Sequence, residues 1–371
     1  MKKRICCIFF HPTHYRKAIY CLLDRELECD FYFGDRDCEV PIRKMDCSLL
    51  RGFKKEVKTT RLGCFHWQHE IWRLAFHNYD SFIMMGDPGF LSYWVLMYLA
   101  LLHGRQVYLW GHGPKTPPKR WDPFFQLFLR RASGFFLYGN WGRKIMEQAG
   151  IPKERLHVIG NSLDYDEQLT FRQQLKPSNI YKKQFRNDDP VLVFVGRLIQ
   201  NKELELLLEA QKILTESGIF FNLCLIGDGP MRGKLEKIAQ QYGLQSRIWF
   251  QGACFDEKIN SKLIFNADLC VSPGCVGLTA IHALTFGTPV ISHDRFELQM
   301  PEVESIIPGK TGDFFLYGNA KSLAEKIAIW LPRLCREREA IRLNCYHVIE
   351  EKFNPHYQIE IFKQVLAGKM K

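Results

Sequence analysis

The stretch VFVGRLIQNKELELLLEA, Val193–Ala210, decides the fold. Three strand-forming apolar residues run into Gly196, two cations follow at Arg197 and Lys202, and leucines at 204, 207 and 208 then fall at helical spacing. This predicts a buried strand that ends on a glycine turn and opens an amphipathic helix, the repeating unit of a parallel α/β sheet. The chemistry at the turn suits a diphosphate. Gly196 lets the backbone come close, Arg197 offers a planar fork to two oxygens, and Lys202 adds a point charge beside a helix N-terminus that already favours anions. Surface cations at an ordinary helix start would give the same letters.

Working outward, the same punctuation recurs. FNLCLIG, RIWFQG, DLCVSP and PVIS read as further strands between Phe221 and Ser292, with helices near Lys202–Ser217, Met231–Tyr242 and Leu278–Phe286. Upstream, strand-like runs at Arg4–Phe10, Cys29–Gly34, Ser81–Met85, Gln106–Trp110, Gly134–Tyr138 and Leu156–Ile159 alternate with helical stretches. The expected fold class is α/β, with two Rossmann-like domains facing across a cleft. Residues 1–165 form the acceptor-side domain, completed by a C-terminal helix at 355–371. The polar stretch 166–190 is a linker, and 191–354 form the donor-side domain.

Bulk properties bound the function. A chain of 371 residues exceeds the usual single domain, and 46% hydrophobic with 25% charged residues is ordinary globular composition. The net charge of +11 favours anionic partners. The basic residues do not cluster with base-stacking aromatics, so no nucleic-acid partner is expected. Thirteen cysteines without a C-x-x-C pair fit reduced thiols in a cytosol. The start MKKRICCIFF reads as a first strand rather than a leader, and the apolar segment Leu91–Leu102 is too short to cross a bilayer. No G-x-G-x-x-G follows either first strand, which argues against a dehydrogenase.

A second decisive segment is SPGCVGLTAIHALTFGTPVIS, Ser272–Ser292, where a strand ends at Pro273 and a glycine loop opens a short helix. Exposed amides at Val276, Gly277 and Leu278 would face an anion there. GRLIQNK at 196–202, LIGDGP at 225–230, FQG at 250–252 and GLTAIHALTFGTPVI at 277–291 occur in one order that resembles the donor domain of the family 4, or group 1, retaining glycosyltransferases. The resemblance implies the GT-B fold and a nucleoside-diphosphate sugar as donor. Arg197 and Lys202 would hold its diphosphate, Gly196 would admit it, and the loop from Gly252 to Phe255 would lie near the nucleobase. Gly277 and Leu278 would cap the distal phosphate.

The family's paired glutamates, with seven residues between them, fall here on Gly274 and His282. This marks a divergent subgroup whose sugar and ribose contacts cannot be copied over. His282 could still hydrogen-bond a ribose hydroxyl, although a core histidine at this place reads alike. HDRFELQMPEVES offers Glu297, Glu302 and Glu304, of which Glu302 is taken to supply the missing carboxylate, against the plainer reading of a solvated acidic loop.

In the first half, YLWGHGPKTPP sets His112 directly after a strand, at the carboxyl end of the sheet. By the resemblance it would polarise the leaving phosphate or the attacking hydroxyl. FFHPTHYRKAIY, with His14, Arg16 and Lys17, replaces the family's glycine-rich loop. Arg16 or Lys17 would meet a phosphate of donor or acceptor, or simply start a helix. Asp87, in GDPGFLSYW, lines the acceptor side.

No metal is expected, since Asp35-Arg36-Asp37 and Asp164/Asp166 lie outside the donor segment and His11/His14 and His66/His69 have no third ligand nearby in sequence. KRWDPFFQLFLRR, 119–131, is either a core-facing amphipathic helix or a peripheral contact with anionic lipid on the inner face of the cytoplasmic membrane. The leading expectation is a retaining, metal-independent transfer of a sugar to a hydroxyl of a growing glycan, a surface polysaccharide or lipid-linked oligosaccharide. A nucleotide-sugar epimerase and a non-catalytic partner in glycan assembly are the alternatives.

Overall fold

The computed structural model describes residues 3–35, 43–116 and 123–369, without the side chains of Phe124 and Phe125. The chain divides into two units, one of residues 1–164 with 354–371, the other Tyr165–Phe353.

The first unit runs β1 (Ile5–Phe9), α1 (Lys17–Leu27), β2 (Asp30–Gly34), β3 (Phe53–Val57), β4 (Thr59–Leu62), β5 (Phe65–Gln68), β6 (Ser81–Met85), α2 (Leu91–Leu102), β7 (Gln106–Gly111), α3 (Pro123–Arg131), β8 (Gly134–Leu137), α4 (Asn140–Gln148) and β9 (Leu156–Val158). Seven strands form one sheet in the order β3-β2-β1-β6-β7-β8-β9, every neighbouring pair parallel, while β4 and β5 make a separate antiparallel hairpin. Parallel strands are covered on both faces, which is why ICCIF and GFFL are buried throughout. One face packs Phe82, Met84, Leu109, Phe135 and Leu137 under α2. The other packs Phe9, Phe33, Trp110 and Phe136 under α1 and the chain's last helix.

The second unit runs α5 (Tyr165–Gln174), α6 (Ile180–Phe185), β10 (Val191–Val195), α7 (Leu204–Glu216), β11 (Asn222–Ile226), α8 (Arg232–Gln241), β12 (Ile248–Gly252), α9 (Glu257–Asn266), β13 (Leu269–Ser272), α10 (Leu278–Thr285), β14 (Val290–His293), β15 (Gly312–Phe315) and α11 (Ala320–Lys352). Its sheet has the order β12-β11-β10-β13-β14-β15, all parallel. That is the doubly wound order in which the third, second and first strands sit on one side and the fourth to sixth on the other. The direction of winding reverses between β10 and β13, and a ligand crevice opens at the carboxyl ends of such a pair.

The stretch 166–190, read from sequence as a linker, instead carries α5 and α6 within the second unit. Gln168 reaches Glu257 at 2.8 Å and Tyr181 donates to the Leu263 carbonyl at 2.8 Å. A few long-range contacts hold these helices, so the local apolar periodicity that marks a helix from sequence is weak. The last helix, α12 (Pro355–Leu366), returns to the first unit. There Phe362 lies 4.1 Å from the Phe136 ring, and Gln358 donates to the Gly160 carbonyl at 2.8 Å. Among the described residues no helix is long and apolar enough to cross a membrane, and the described cysteines are all free thiols. In α3, Phe128 is fully buried against Trp94 at 4.8 Å, a core-facing placement, whereas Lys119–Asp122, with Trp121, lie outside the described residues.

Candidate functional site

At the switch point of the second unit, two loops are sewn together. The loop after β10 bends through Gly196 at φ 147°, and its Leu198 amide reaches the Asp228 carbonyl at 2.9 Å. The loop after β13 docks on it, with the Gly274 amide donating to the Lys202 carbonyl at 3.0 Å and the Cys275 amide to the Asn201 carbonyl at 3.2 Å. The Lys202 ammonium closes the seam by donating to the Cys275 carbonyl. Arg197 remains exposed on the rim, and α10 starts from Gly277 (φ 54°) with no side chain capping it and no acid in its first turn. Orphan amides, a helix dipole and a guanidinium therefore occupy one edge, an arrangement that attracts a multiply charged anion.

Several sequence expectations need correction here. Val276 does not offer its amide to an anion, because the residue is fully buried and that amide donates to Gln299 Oε1 at 2.8 Å. Gln299 is itself fixed by donating to Ser292 Oγ at 2.8 Å and to the His293 carbonyl at 3.1 Å. Gly274 is no donor contact either. It is buried against the neighbouring loop, where an added Cβ would stand 2.1 Å from the Asn201 carbonyl oxygen. The Lys202 ammonium is occupied in holding the two loops together.

The carboxylate at His282 is Glu257, which sequence reasoning missed. His282 Nε2 lies 2.9 Å from Glu257 Oε1, and Gln168 donates to the same oxygen. Burial raises the Glu257 carboxyl, but the charge and hydrogen bonding of His282 and Gln168 outweigh it and hold the group below the ordinary carboxylate value. Asp256 caps α9 by accepting the Lys258 amide, which fixes Glu257 at the first helical position. The signal in the sequence was that acidic pair at a helix start. Phe255, just before it, is 80% exposed, and Gly252 turns the chain at φ 89°. Glu302, expected to supply the carboxylate, is only 2% exposed, in a short 3-10 turn (Pro301–Ser305) that packs on α10.

In the first unit, residues from three strand ends meet. Arg16 follows β1, and its guanidinium lies 5.2 Å from the Trp110 ring, 5.6 Å from Tyr138 and 5.8 Å from Tyr15. His112 follows β7 and sets its ring edge-on to Tyr138 at 5.0 Å. Burial, with the charges of Arg16 and Lys115, lowers its imidazole to about 4, so it is neutral at physiological pH. His14 is turned to the Arg43 carbonyl at 3.2 Å, and partial desolvation of its ring lowers its imidazole as well. Asp87 accepts the Gly89 amide at 2.8 Å and, with Gly111, Gly113 and Leu137, lines a cavity of about 240 Å³ at the ends of β6 and β7.

Among the described residues, no three His, Cys, Asp or Glu come together as metal ligands. Asp35 accepts the Thr59 amide at 2.8 Å, and Asp37 lies outside the described residues. Asp164 is paired with Lys17 at 2.7 Å. His69 sits 2.8 Å from Thr60 Oγ1, and His66 stacks on Phe90 at 4.9 Å.

Known proteins share this fold and part of this sequence. The solved structure of Anabaena Alr3699/HepE in complex with UDP superposes with a TM-score of 0.72 at 16% identity, over 98% of this chain and 100% of that one. The likeness is one of fold, two doubly wound domains of the GT-B type. An alpha-D-kanosaminyltransferase of Streptomyces kanamyceticus is 28% identical over 170 residues, which cover 45% of this chain and 44% of that protein. The putative glycosyltransferase EpsF of Bacillus subtilis is 26% identical over 223 residues, covering 59% and 54%. The chain thus spans about half the length of these curated relatives. The model of the glycosyl transferases group 1 matches residues 176–365, just over half of the chain and the whole of the β10 to α10 site. With that match laid over the sewn loops and the open start of α10, the chain belongs to the glycosyl transferases group 1 family.

Proposed function

We propose that this chain transfers a sugar from a nucleoside-diphosphate sugar to a hydroxyl of a growing glycan, with retention of anomeric configuration and without a metal ion. The observation that carries the reading is the switch-point edge of the second unit. There Arg197, the Lys202 ammonium behind the seam and the uncapped first turn of α10 would supply positive charge to a leaving diphosphate. These groups would take the part that a divalent cation plays in metal-dependent transfer. Phe255 would stack on the base, and the Glu257–His282 pair would hold the ribose, with His282 fixed by its carboxylate. His112, kept neutral, would serve as a hydrogen-bonding group to the reacting sugar rather than as a cation.

The UDP of the Anabaena structure supports a uridine donor as the first to test. The test is a thermal-shift panel of UDP, GDP, ADP and their sugars, followed by transfer to glycan acceptors with and without EDTA. A uridine compound is expected to raise the melting temperature, and Arg197→Ala to remove the rise. No response to any nucleotide would overturn the donor site, loss of transfer in EDTA with recovery in Mn²⁺ would overturn metal independence, and an inverted anomeric product would overturn retention.

A further inference from the structure

Helix α2, LSYWVLMYLALL, covers one face of the first unit's sheet and carries no charged residue in its 12 positions. Its inner side buries Tyr93, Leu96, Met97 and Ala100, as the core requires. Its outer side, at helical spacing, is Leu91, Val95, Tyr98, Leu99 and Leu102, with Val95 37% and Leu102 80% exposed. The sheet does not demand an apolar outer face. Helix α4 packs on the same core through Met146, yet turns Asn140, Lys144, Glu147 and Gln148 to solvent. The apolar surface also continues beyond α2. In the adjoining 3-10 stretch, Ile71–Phe76, the Phe76 ring is 58% exposed and lies 6.3 Å from Trp72 and 5.3 Å from His103 at the end of α2. An apolar surface extended over two neighbouring elements marks a docking face.

The charge around this face selects what docks there. Two exposed guanidiniums rest on aromatic rings of the patch, Arg73 at 5.4 Å from Trp72 and Arg131 at 5.8 Å from Tyr98. Glu70 and Asp80, which flank the 3-10 stretch, are paired with Lys55 and Arg105. In the sequence, residues 88–146 hold eight Lys and Arg against one acid, Asp122, a net +7 of the chain's +11. A second copy of this chain would bring like charge against the face. A bilayer with anionic headgroups offers apolar acyl chains beneath a negative surface, and cations resting on aromatic rings suit that boundary. At 1.5 Å per residue α2 spans roughly 18 Å, too short to cross, so it would lie flat. We propose that the outer face of α2, with Trp72 and Phe76, docks this chain on an anionic membrane surface, Arg73 and Arg131 meeting the headgroups. This rests on the first unit alone and not on the transferase reading.

The test is flotation of the full chain with vesicles of phosphatidylcholine, alone or mixed with phosphatidylglycerol. The chain is expected to float with the mixed vesicles and to be released as salt rises. Leu102→Glu and Phe76→Glu, at sites too exposed to support the core, are each expected to weaken binding about tenfold. Arg131→Glu should weaken it on the mixed vesicles. Leu343→Glu, at a 64% exposed leucine of the second unit, is the control and should bind as wild type does. Hydrogen exchange of the wild type needs no variant: mixed vesicles should slow it in the 3-10 stretch and at the end of α2. No flotation with mixed vesicles overturns the proposal, as does binding that Leu102→Glu and Phe76→Glu leave unchanged, or exchange that vesicles leave unchanged in those segments. Equal loss in Leu343→Glu overturns the assignment to α2. A dimer formed without lipid and dissociated by Leu102→Glu overturns the bilayer as occupant in favour of a second copy.

Discussion

Restoring the family's glutamate at position 274 should damage this protein rather than improve it. A Cβ built on Gly274 falls 2.1 Å from the Asn201 carbonyl oxygen and 2.8 Å from the Lys202 Cα, both backbone atoms that cannot swing aside. Relief requires the loops after β10 and β13 to part. That stretches the Gly274 amide bond to the Lys202 carbonyl (3.0 Å), the Cys275 amide bond to the Asn201 carbonyl (3.2 Å) and the Lys202 ammonium contact with the Cys275 carbonyl. Two neutral hydrogen bonds at about 1 kcal/mol each and one charged bond at about 2 kcal/mol set the scale. Since the loops need separate only in part, Gly274→Glu should cost about 3 kcal/mol, a drop in melting temperature of roughly 10 °C for a unit of this size. Gly274→Ala should show most of the same loss, because the first carbon already collides. Differential scanning fluorimetry of the two variants, with and without the nucleotide that stabilises the wild type, makes the comparison. If Gly274→Glu melts within about 2 °C of wild type and binds nucleotide more tightly, the loops accommodate a side chain and the close-approach reasoning is wrong.

Three further outcomes follow from the site. Glu257→Gln should cost about 2 kcal/mol at pH 7 by removing the charged acceptor of His282 and Gln168. Because the Glu257 carboxyl is held below its ordinary value, its stabilisation is present above the ordinary carboxylate range and lost as pH falls through the depressed one. Urea unfolding at pH 7 and pH 3.5 should therefore show a smaller acid loss in the variant, and equal losses would refute the pairing. His112, lowered to about 4, stays neutral when folded but gains a proton near 6.5 when unfolded, so stability should decline as pH falls between those values. The His112 share is about 2 kcal/mol between pH 7 and 5, and a His112→Asn variant should lack it in the same unfolding experiment. Phe255→Ala removes an 80% exposed ring, so its melting temperature should barely move while nucleotide affinity measured by calorimetry falls about tenfold. An unchanged affinity would take the base away from that loop.

Much of the fold could be read from the chain because each strand of a covered parallel sheet is a short apolar run closed by glycine or proline. VLVFVG and FNLCLIG declared their strands to within a residue or two. What escaped was held by distant contacts. The strands β3 to β5 are mostly polar and partly exposed, as FKKEV shows, so no apolar run marks them. Helices α5 and α6 lack a periodic stripe, because α5 packs through Gln168 and α6 through Tyr181.

The site divides along the same line. Gly196 and Arg197 sit on one strand-turn-helix unit and Gly277 and Leu278 on another, a local pattern that spacing marks. The Glu257–His282 contact joins the first turn of α9 to the last turn of α10, 25 residues apart in sequence, and the two helices meet only after β12 and β13 have been laid into the sheet. No spacing rule reaches that far. Glu302, the nearest downstream candidate in sequence, shares α10 as a packing partner but is buried in a turn. The two departures from the family are separable in cause. At 274 the backbone of the adjoining loop fills the space a side chain would need. At 282 the helix keeps a hydrogen-bonding group, and its negative charge is furnished from the neighbouring helix. By aligned position both carboxylates are absent, whereas in the fold a carboxylate, Glu257, stands 2.9 Å from His282.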